Sequence, residues 1–310
     1  SIFGGFDVRN NFGHVRVYQN QSGSWEQLGK DIDGKELNGL SGFSVSLSSD
    51  GNVVAVKSRC IYSRDEDEFW KSFFLDSSKV RIYKNQSGTW TQIGKEIDVP
   101  KWHQWERGRY GPNDGDNGEI SLSSDGSIIA IGSIGYTGLY ENVSGVWTQI
   151  GQLILDGDSS VNKVSLSSDG SIVAISHLNL SKHVVNIYKN QSGTWTPIGK
   201  EIEVDTIKRL SDFYTCPPVS LSSDGNTVAI GSPAQENRNG IAAGCVKIYK
   251  NQSGTWTQIG KDILGEKEND YSGSSVSVSS DGSIVAVGVR EFWHTFFWAF
   301  DPFVISADRA

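Results

Sequence analysis

The chain is 310 residues long and carries 28 Lys and Arg against 36 Asp and Glu, a net charge of −8. Its basic residues are dispersed, so nothing neutralises a run of phosphates and nucleic acid is excluded as a partner; no run of about 18 apolar residues occurs, which excludes a helical membrane span. Thirty-five Gly against seven Pro suit a body of many tight turns, and the lack of Met, even at position 1, points to a removed leader or to a segment of a longer chain.

The first predicted element is a hairpin from His14 to Asp31, built on Asn20-Gln21-Ser22-Gly23-Ser24-Trp25. Ser48-Ser49-Asp50-Gly51 follows, and this succession of Ser-Gly-x-Trp and then Ser-Ser-Asp-Gly, 22 to 35 residues later, occurs five times. The tryptophans are Trp25, Trp90, Trp147, Trp195 and Trp256, and the aspartates are Asp50, Asp125, Asp169, Asp224 and Asp281. Self-similarity at a period of roughly 50 to 70 residues, made of short strands and turns, is the mark of a propeller or another stacked array.

Two irregular connections interrupt the early repeats. Ser58 to Lys79 holds an acidic run, Asp65 to Glu68, followed by Phe69 and Trp70, and Val99 to Pro112 holds Trp102, His103 and Trp105. Next comes Asn113-Asp114-Gly115-Asp116-Asn117-Gly118-Glu119, where oxygen ligands alternate beside glycines. That makes Asp114 and Asp116 weak candidates for calcium, but the loop lacks the twelfth-position Glu of an EF-hand and aligns with the plain loop Asn269 to Gly273, so an unmetallated loop and no cofactor are expected. The histidines His14, His103, His177, His183 and His294 show no metal spacing. An Asp that recurs in every turn serves geometry before catalysis, so no catalytic residue is assigned and the chain reads as a non-enzyme. Cys60, Cys216 and Cys245 cannot all pair with one another, so disulfides do not hold the fold.

The clearest repeat spans 244–288. Val246 to Lys250 and Thr255 to Ile259 read as one hairpin reversed at Asn251-Gln252-Ser253-Gly254, a bulged turn with Gly at positive φ; Ser275 to Ser279 and Ser283 to Val287 read as a second, joined by Asp281-Gly282 in a two-residue type I′ turn. In Ile284-Val285-Ala286-Val287 both parities are apolar, so both sheet faces need cover, which blades stacked face to face provide. The repeat tryptophans are then inter-blade packing, each stabilising by roughly 2–3 kcal/mol. The predicted fold is an all-β propeller of four-stranded antiparallel blades over 1–288, with an aromatic tail over 289–310. The chain opens on a Trp hairpin and closes on an Asp-Gly hairpin, so the two are expected to join as a shared fifth blade; six or seven blades are the alternative if the repeats are a window on a longer array.

In such a meander both tight turns of each repeat lie at one end of the blades and the long connections at the other. The irregular connections and the tail hold 15 of the 33 aromatic residues. Loops carried on a rigid scaffold are the usual seat of binding, so Phe69, Trp70, Trp102, Trp105, Trp293 and Trp298 are the candidate site: an aromatic surface for sugar rings or another protein chain, or else a plug folded inward. At the opposite end, Asn20, Asn85, Asn142, Asn190 and Asn251 each begin an Asn-x-Ser acceptor, giving five candidate glycosylation sites at one turn, although the turn itself also favours Asn.

Val219 to Pro233 together with Gly244 to Tyr249 resembles the FG-GAP type of propeller repeat known from integrin α-subunit heads and from microbial and algal surface proteins. Two features depart from that family: its Gly-Ala-Pro element survives only as Gly231-Ser232-Pro233, and its calcium loop is reduced to one Asp beside Gly. The resemblance implies an extracellular or cell-surface interaction module. The expected function is accordingly a non-catalytic structural or adhesive propeller that binds other protein chains, copies of itself among them, as part of a surface assembly. A lectin-like propeller using the loop tryptophans is the alternative, and a glycan-cleaving enzyme the least favoured reading.

Overall fold

The computed structural model describes residues 12–36, 39–59, 78–99, 118–155, 162–179, 182–204, 216–233, 243–268 and 270–289. Every regular element among them is a β-strand. Four complete blades follow one another, each an antiparallel sheet in which sequential strands are neighbours. Blade 1 is Ser44–Leu47, Val53–Ser58, Lys79–Gln86 and Thr89–Gln92, with Ile97–Asp98 continuing the fourth strand along the third. The corresponding first strands are Ile120–Leu122 in blade 2, Lys163–Leu166 in blade 3 and Val219–Leu221 in blade 4. A leading half-blade (Tyr18–Gln21 with Ser24–Gln27, extended by His14–Val15 with Ile32–Asp33) supplies strands of the third and fourth kind, and a trailing half-blade (Ser275–Val278 with Val285–Gly288) supplies the first and second.

The two turn signals have exchanged types relative to expectation. In the Asn-x-Ser-Gly reversals both central residues have positive φ, as in Ser22 (54°) and Gly23 (97°), or Ser253 (52°) and Gly254 (87°). That is the two-residue type I′ turn. The Asn side chain makes it possible without two glycines, because its Oδ1 accepts the Gly N–H at 2.8–2.9 Å in all five repeats. In the Ser-Asp-Gly turns only Gly is left-handed; Gly51 N donates to Ser48 O and Ser48 N to Val53 O, which encloses a four-residue loop. The Asp50 carboxylate organises that loop by accepting the Ser48 hydroxyl at 2.6 Å and the Asn52 N–H at 2.9 Å.

Packing between blades repeats with the sequence. Trp90 Nε1 donates to Leu28 O of the preceding unit at 2.7 Å, Trp147 to Ile93 O at 3.0 Å, Trp195 to Ile150 O at 3.1 Å and Trp256 to Ile198 O at 2.9 Å. The acceptor always lies three residues past the previous repeat tryptophan, so each indole is both apolar filler and a hydrogen-bonded latch. First strands meet along the axis of the array. Their valines and leucines point back into the preceding blade, as Val164 and Leu166 do in a cluster with Ala130 and Leu139. Their serines point forward: Ser46, Ser121, Ser165 and Ser220 Oγ accept the N–H of Leu122, Leu166, Leu221 and Val278 at 2.9–3.0 Å. The alternation Ser-Val-Ser-Leu-Ser thus encodes the two sides of one strand. Because second strands are covered on both sides, all six residues of Val53–Ser58 are buried.

Closure departs from expectation. The leading and trailing half-blades form separate two-stranded sheets, and no ladder joins Val285–Gly288 to Tyr18–Gln21 among the described residues. The three seams between complete blades each carry both the tryptophan latch and a serine bond, whereas the leading half-blade meets blade 1 through the latch alone and the trailing half-blade meets blade 4 through the serine bond alone.

Candidate functional site

Consecutive pairing within each sheet puts the Ser-Asp-Gly and Asn-x-Ser-Gly turns at one end of every blade and the remaining connections at the other, as the sequence predicts. At that second end the repeats lose their uniformity. Aligned on the Ser-Asp-Gly turn, the residue that opens the axial course is Ser44, Glu119, Lys163, Pro218 and Ser275 in successive units. Glu119 and Lys163, from neighbouring blades, form an ion pair with Nζ 2.7 Å from Oε1. Beside them Lys57 occupies a second-strand position that is Gly132, Ser176, Gly231 and Gly288 elsewhere. Its side chain is fully buried, and its ammonium donates to Gly118 O at 2.9 Å and Gly132 O at 3.0 Å, the backbone that flanks Glu119. A buried ammonium persists only where acceptors replace its water, and these carbonyls supply two.

The glycine at position 132 is required by this geometry. A Cβ there would sit 2.4 Å from Asn162 O, the same carbonyl that accepts Glu119 N–H. Blade 3 adds imidazoles at the same end. His177 stands where other repeats have Ser58, Ser133 and Ser232, with Nε2 2.9 Å from Asn186 Nδ2. His183 follows on the next strand; burial, and then the charge of His177, hold its pKa below the ordinary imidazole value. The arrangement offers a carboxylate and two ammonium groups at the axial end and two imidazoles on its flank. It can hold an anionic or hydroxylated ligand and can move a proton. No group of three metal-ligating side chains occurs among the described residues.

The aromatic candidates Phe69, Trp70, Trp102, Trp105, Trp293 and Trp298 lie outside the described residues, as do the calcium candidates Asp114 and Asp116. The acceptor asparagines all lie on the strand that leads into the type I′ turn, each opposite the repeat tryptophan; Asn20 is exposed, whereas Nδ2 of Asn142 is buried with no hydrogen-bond partner among the described residues. Cys216 and Cys245 are buried. Sequence reading passed over Lys57, Glu119 and Lys163, although alignment of the repeats against one another would have flagged them as charges at Ser and Gly positions.

No protein-family model matches the sequence, and a search of curated proteins gave no match. Among solved structures the chain is similar to the periplasmic gluconolactonase of Pseudomonas aeruginosa, with a TM-score of 0.54 and 14% identity over 89% of this chain and 71% of that one. TolB from Acinetobacter baumannii aligns with a TM-score of 0.44 and 17% identity, over 82% of this chain and 49% of that one. A putative 6-phosphogluconolactonase from Bacteroides uniformis aligns at 0.44 and 13%, over 84% of this chain and 81% of that one. The likeness establishes the fold: the chain is a β-propeller-type repeat protein.

The likeness to the gluconolactonase overturns the expectation of a non-catalytic structural or adhesive module. The architecture is shared with a lactonase, so a scaffold of repeated packing residues is no argument against catalysis. The inference from recurring aspartates holds for the turns alone, since the residues that could act chemically are those that do not recur. No helix among the described residues is long and apolar enough to cross a membrane.

Proposed function

We propose that the protein is a propeller that binds, and hydrolyses, a small sugar-derived lactone or a related sugar-acid ester at the axial end of blades 1 to 3. The observation that carries this reading is the Glu119–Lys163 pair, charged residues from adjacent blades held 2.7 Å apart where other repeats place Ser or Pro. In lactone hydrolysis, water adds to the ring carbonyl and the ring C–O bond breaks. Glu119 would take the proton of the attacking water and return it to the ring oxygen as the C–O bond breaks, and the Lys163 ammonium would stabilise the oxyanion that forms between the two steps. Lys57, fixed by Gly118 and Gly132 carbonyls, would add positive potential behind it. The gluconolactonase with the same fold is named as periplasmic, and the Asn-x-Ser acceptors suit an exported chain, so we place this activity outside the cytoplasm.

The test is hydrolysis of gluconolactone followed by pH-stat against the uncatalysed rate, with Glu119→Gln and Lys163→Ala alongside the native protein. Loss of a proton-transfer group should slow turnover about 10²- to 10⁴-fold. A native rate equal to the uncatalysed one, or substitutions without effect, would reject the proposal.

A further inference from the structure

Two buried polar residues at the seam between blades 2 and 3 depart from the repeat together. Thr137, on the third strand of blade 2 (Tyr136–Val143), pairs with Gly132. The same place in the other complete blades belongs to Val80, Val185 and Val246, paired with Lys57, Ser176 and Gly231. All three valines are fully buried, and so is Thr137. Asn162, the residue before Lys163, stands where other units have Phe43, Gly118, Pro217 and Ser274, and it too is fully buried. A hydroxyl and an amide withdrawn from water cost free energy unless they find partners. Here they meet across the seam, with Asn162 Nδ2 donating to Thr137 Oγ1 at 3.2 Å.

The backbone of Asn162 is tied to blade 2 as well. Its N–H donates to Ser133 O at 3.2 Å, and its carbonyl accepts the Glu119 N–H at 3.3 Å. Glu119 O accepts in turn from Gly132 N at 2.9 Å, so Glu119, Gly132, Thr137 and Asn162 form one connected set. The next residue in the chain is Lys163, whose ammonium lies 2.7 Å from Glu119 Oε1. The other blades pack valine at the place of Thr137, so the blade itself does not require the hydroxyl. What the hydroxyl does is fix the residue that leads into Lys163.

We infer that Asn162, held by Thr137, is a positioning residue that sets the Lys163 ammonium against the Glu119 carboxylate. Its role in turnover rests on the reading of that pair as the reacting groups. A displacement of Asn162 moves the ammonium relative to the carboxylate, and a misplacement of about 1 Å can cost reacting groups about 10²-fold.

The experiment uses the full chain and compares Thr137→Val, Thr137→Ser, Asn162→Ser and the double variant Thr137→Val with Asn162→Ser. Val and Ser occupy these places in other repeats, so the substitutions suit the blade, and a thermal melt checks that the fold is kept. The first readout needs no turnover. It is the acetylation rate of Lys163 by acetic anhydride, followed by peptide mass spectrometry and referred to the exposed Lys84 of the same molecule. Glu119→Gln supplies the unpaired reference and should raise that rate about 2- to 5-fold, the hold of a partly exposed ion pair. Thr137→Val and Asn162→Ser should each approach the reference, and the double variant should go no further, because the two residues act as one unit. Thr137→Ser keeps the hydroxyl and should label as the native protein does. The second readout is gluconolactone hydrolysis, in which Thr137→Val should lower kcat about 10- to 100-fold with KM unchanged and Thr137→Ser should restore it. Labelling of Lys163 that neither Glu119→Gln nor Thr137→Val alters, or a double variant whose effects add, would overturn the inference. A labelling change without loss of kcat would overturn the role in turnover. If the native protein leaves gluconolactone at its uncatalysed rate, the functional reading falls, and the labelling still decides whether Asn162 sets the pair.

Discussion

Replacing Trp195 with Ala should destabilise the protein far more than the same change at Trp25, although the two sit at equivalent positions in the repeat. Trp195 is 4% exposed, packs with Val164, Leu166 and Ile175, and donates to Ile150 O at 3.1 Å. Removing it deletes a buried aromatic and leaves a cavity, which costs about 3–5 kcal/mol. Part of that belongs to the lost latch, about 1 kcal/mol for an ordinary hydrogen bond and more where the abandoned carbonyl stays dry. Trp25 is 70% exposed and has no such bond among the described residues, so its truncation should cost within about 0.5 kcal/mol. Urea denaturation followed by far-ultraviolet circular dichroism measures both. A repeat array need not unfold in one step, so the transition to compare is the one that shifts with Trp195→Ala. Equal losses for the two variants would refute the idea that the latch, and not the tryptophan as such, supplies the stability.

Three further outcomes are expected. The hydroxyl of Ser48 and the N–H of Asn52 hold the Asp50 carboxyl at about 2 against an ordinary 3.8, and Ser279 and Ser283 do the same for Asp281, also to about 2. Depressed carboxylates contribute in full above pH 4 and lose that contribution as pH falls through 2, so Asp50→Asn with Asp281→Asn should flatten the acid side of the stability profile between those limits; an unchanged slope would count against the turns. Gly126→Ala places a Cβ 2.7 Å from that of Val53 at a φ of +71°, whereas Gly51→Ala at +72° meets nothing. The second should cost about 1 kcal/mol, the left-handed penalty alone, and the first at least twice that in a thermal melt. Where an N-glycosylating host is used, intact mass before and after glycan removal should place sugar on Asn20 ahead of Asn142, whose Nδ2 is buried; an Asn142 glycan without one at Asn20 would contradict the turn geometry.

Much of the fold was legible because the chain states its rule five times. Trp25 to Trp256 fix the latch, the Asn-x-Ser-Gly and Ser-Asp-Gly turns fix the reversals, and Ser-Val-Ser-Leu-Ser fixes which side of each first strand faces forward. These are local or nearest-neighbour relations, and repetition averages out the ambiguity of any single copy. The turn types were misjudged because they depend on side-chain bonds, Asn Oδ1 to a Gly N–H and Asp to a Ser hydroxyl, that composition does not display. The candidate site was missed for a related reason. Lys57, Glu119 and Lys163 lie 106 residues apart at their extremes, and a search for motifs overlooks residues that matter by breaking one.

By itself the sequence determined the blade, its faces and the sorting of tight turns to one end, since strand periodicity and turn chemistry act over a few residues. Only the tertiary structure decided that charges from three different blades gather at the other end, and that Trp25 stays exposed while Trp195 is buried and latched. Both depend on the angle accumulated from blade to blade, which arises from packing across distant parts of the chain and is written in no single repeat.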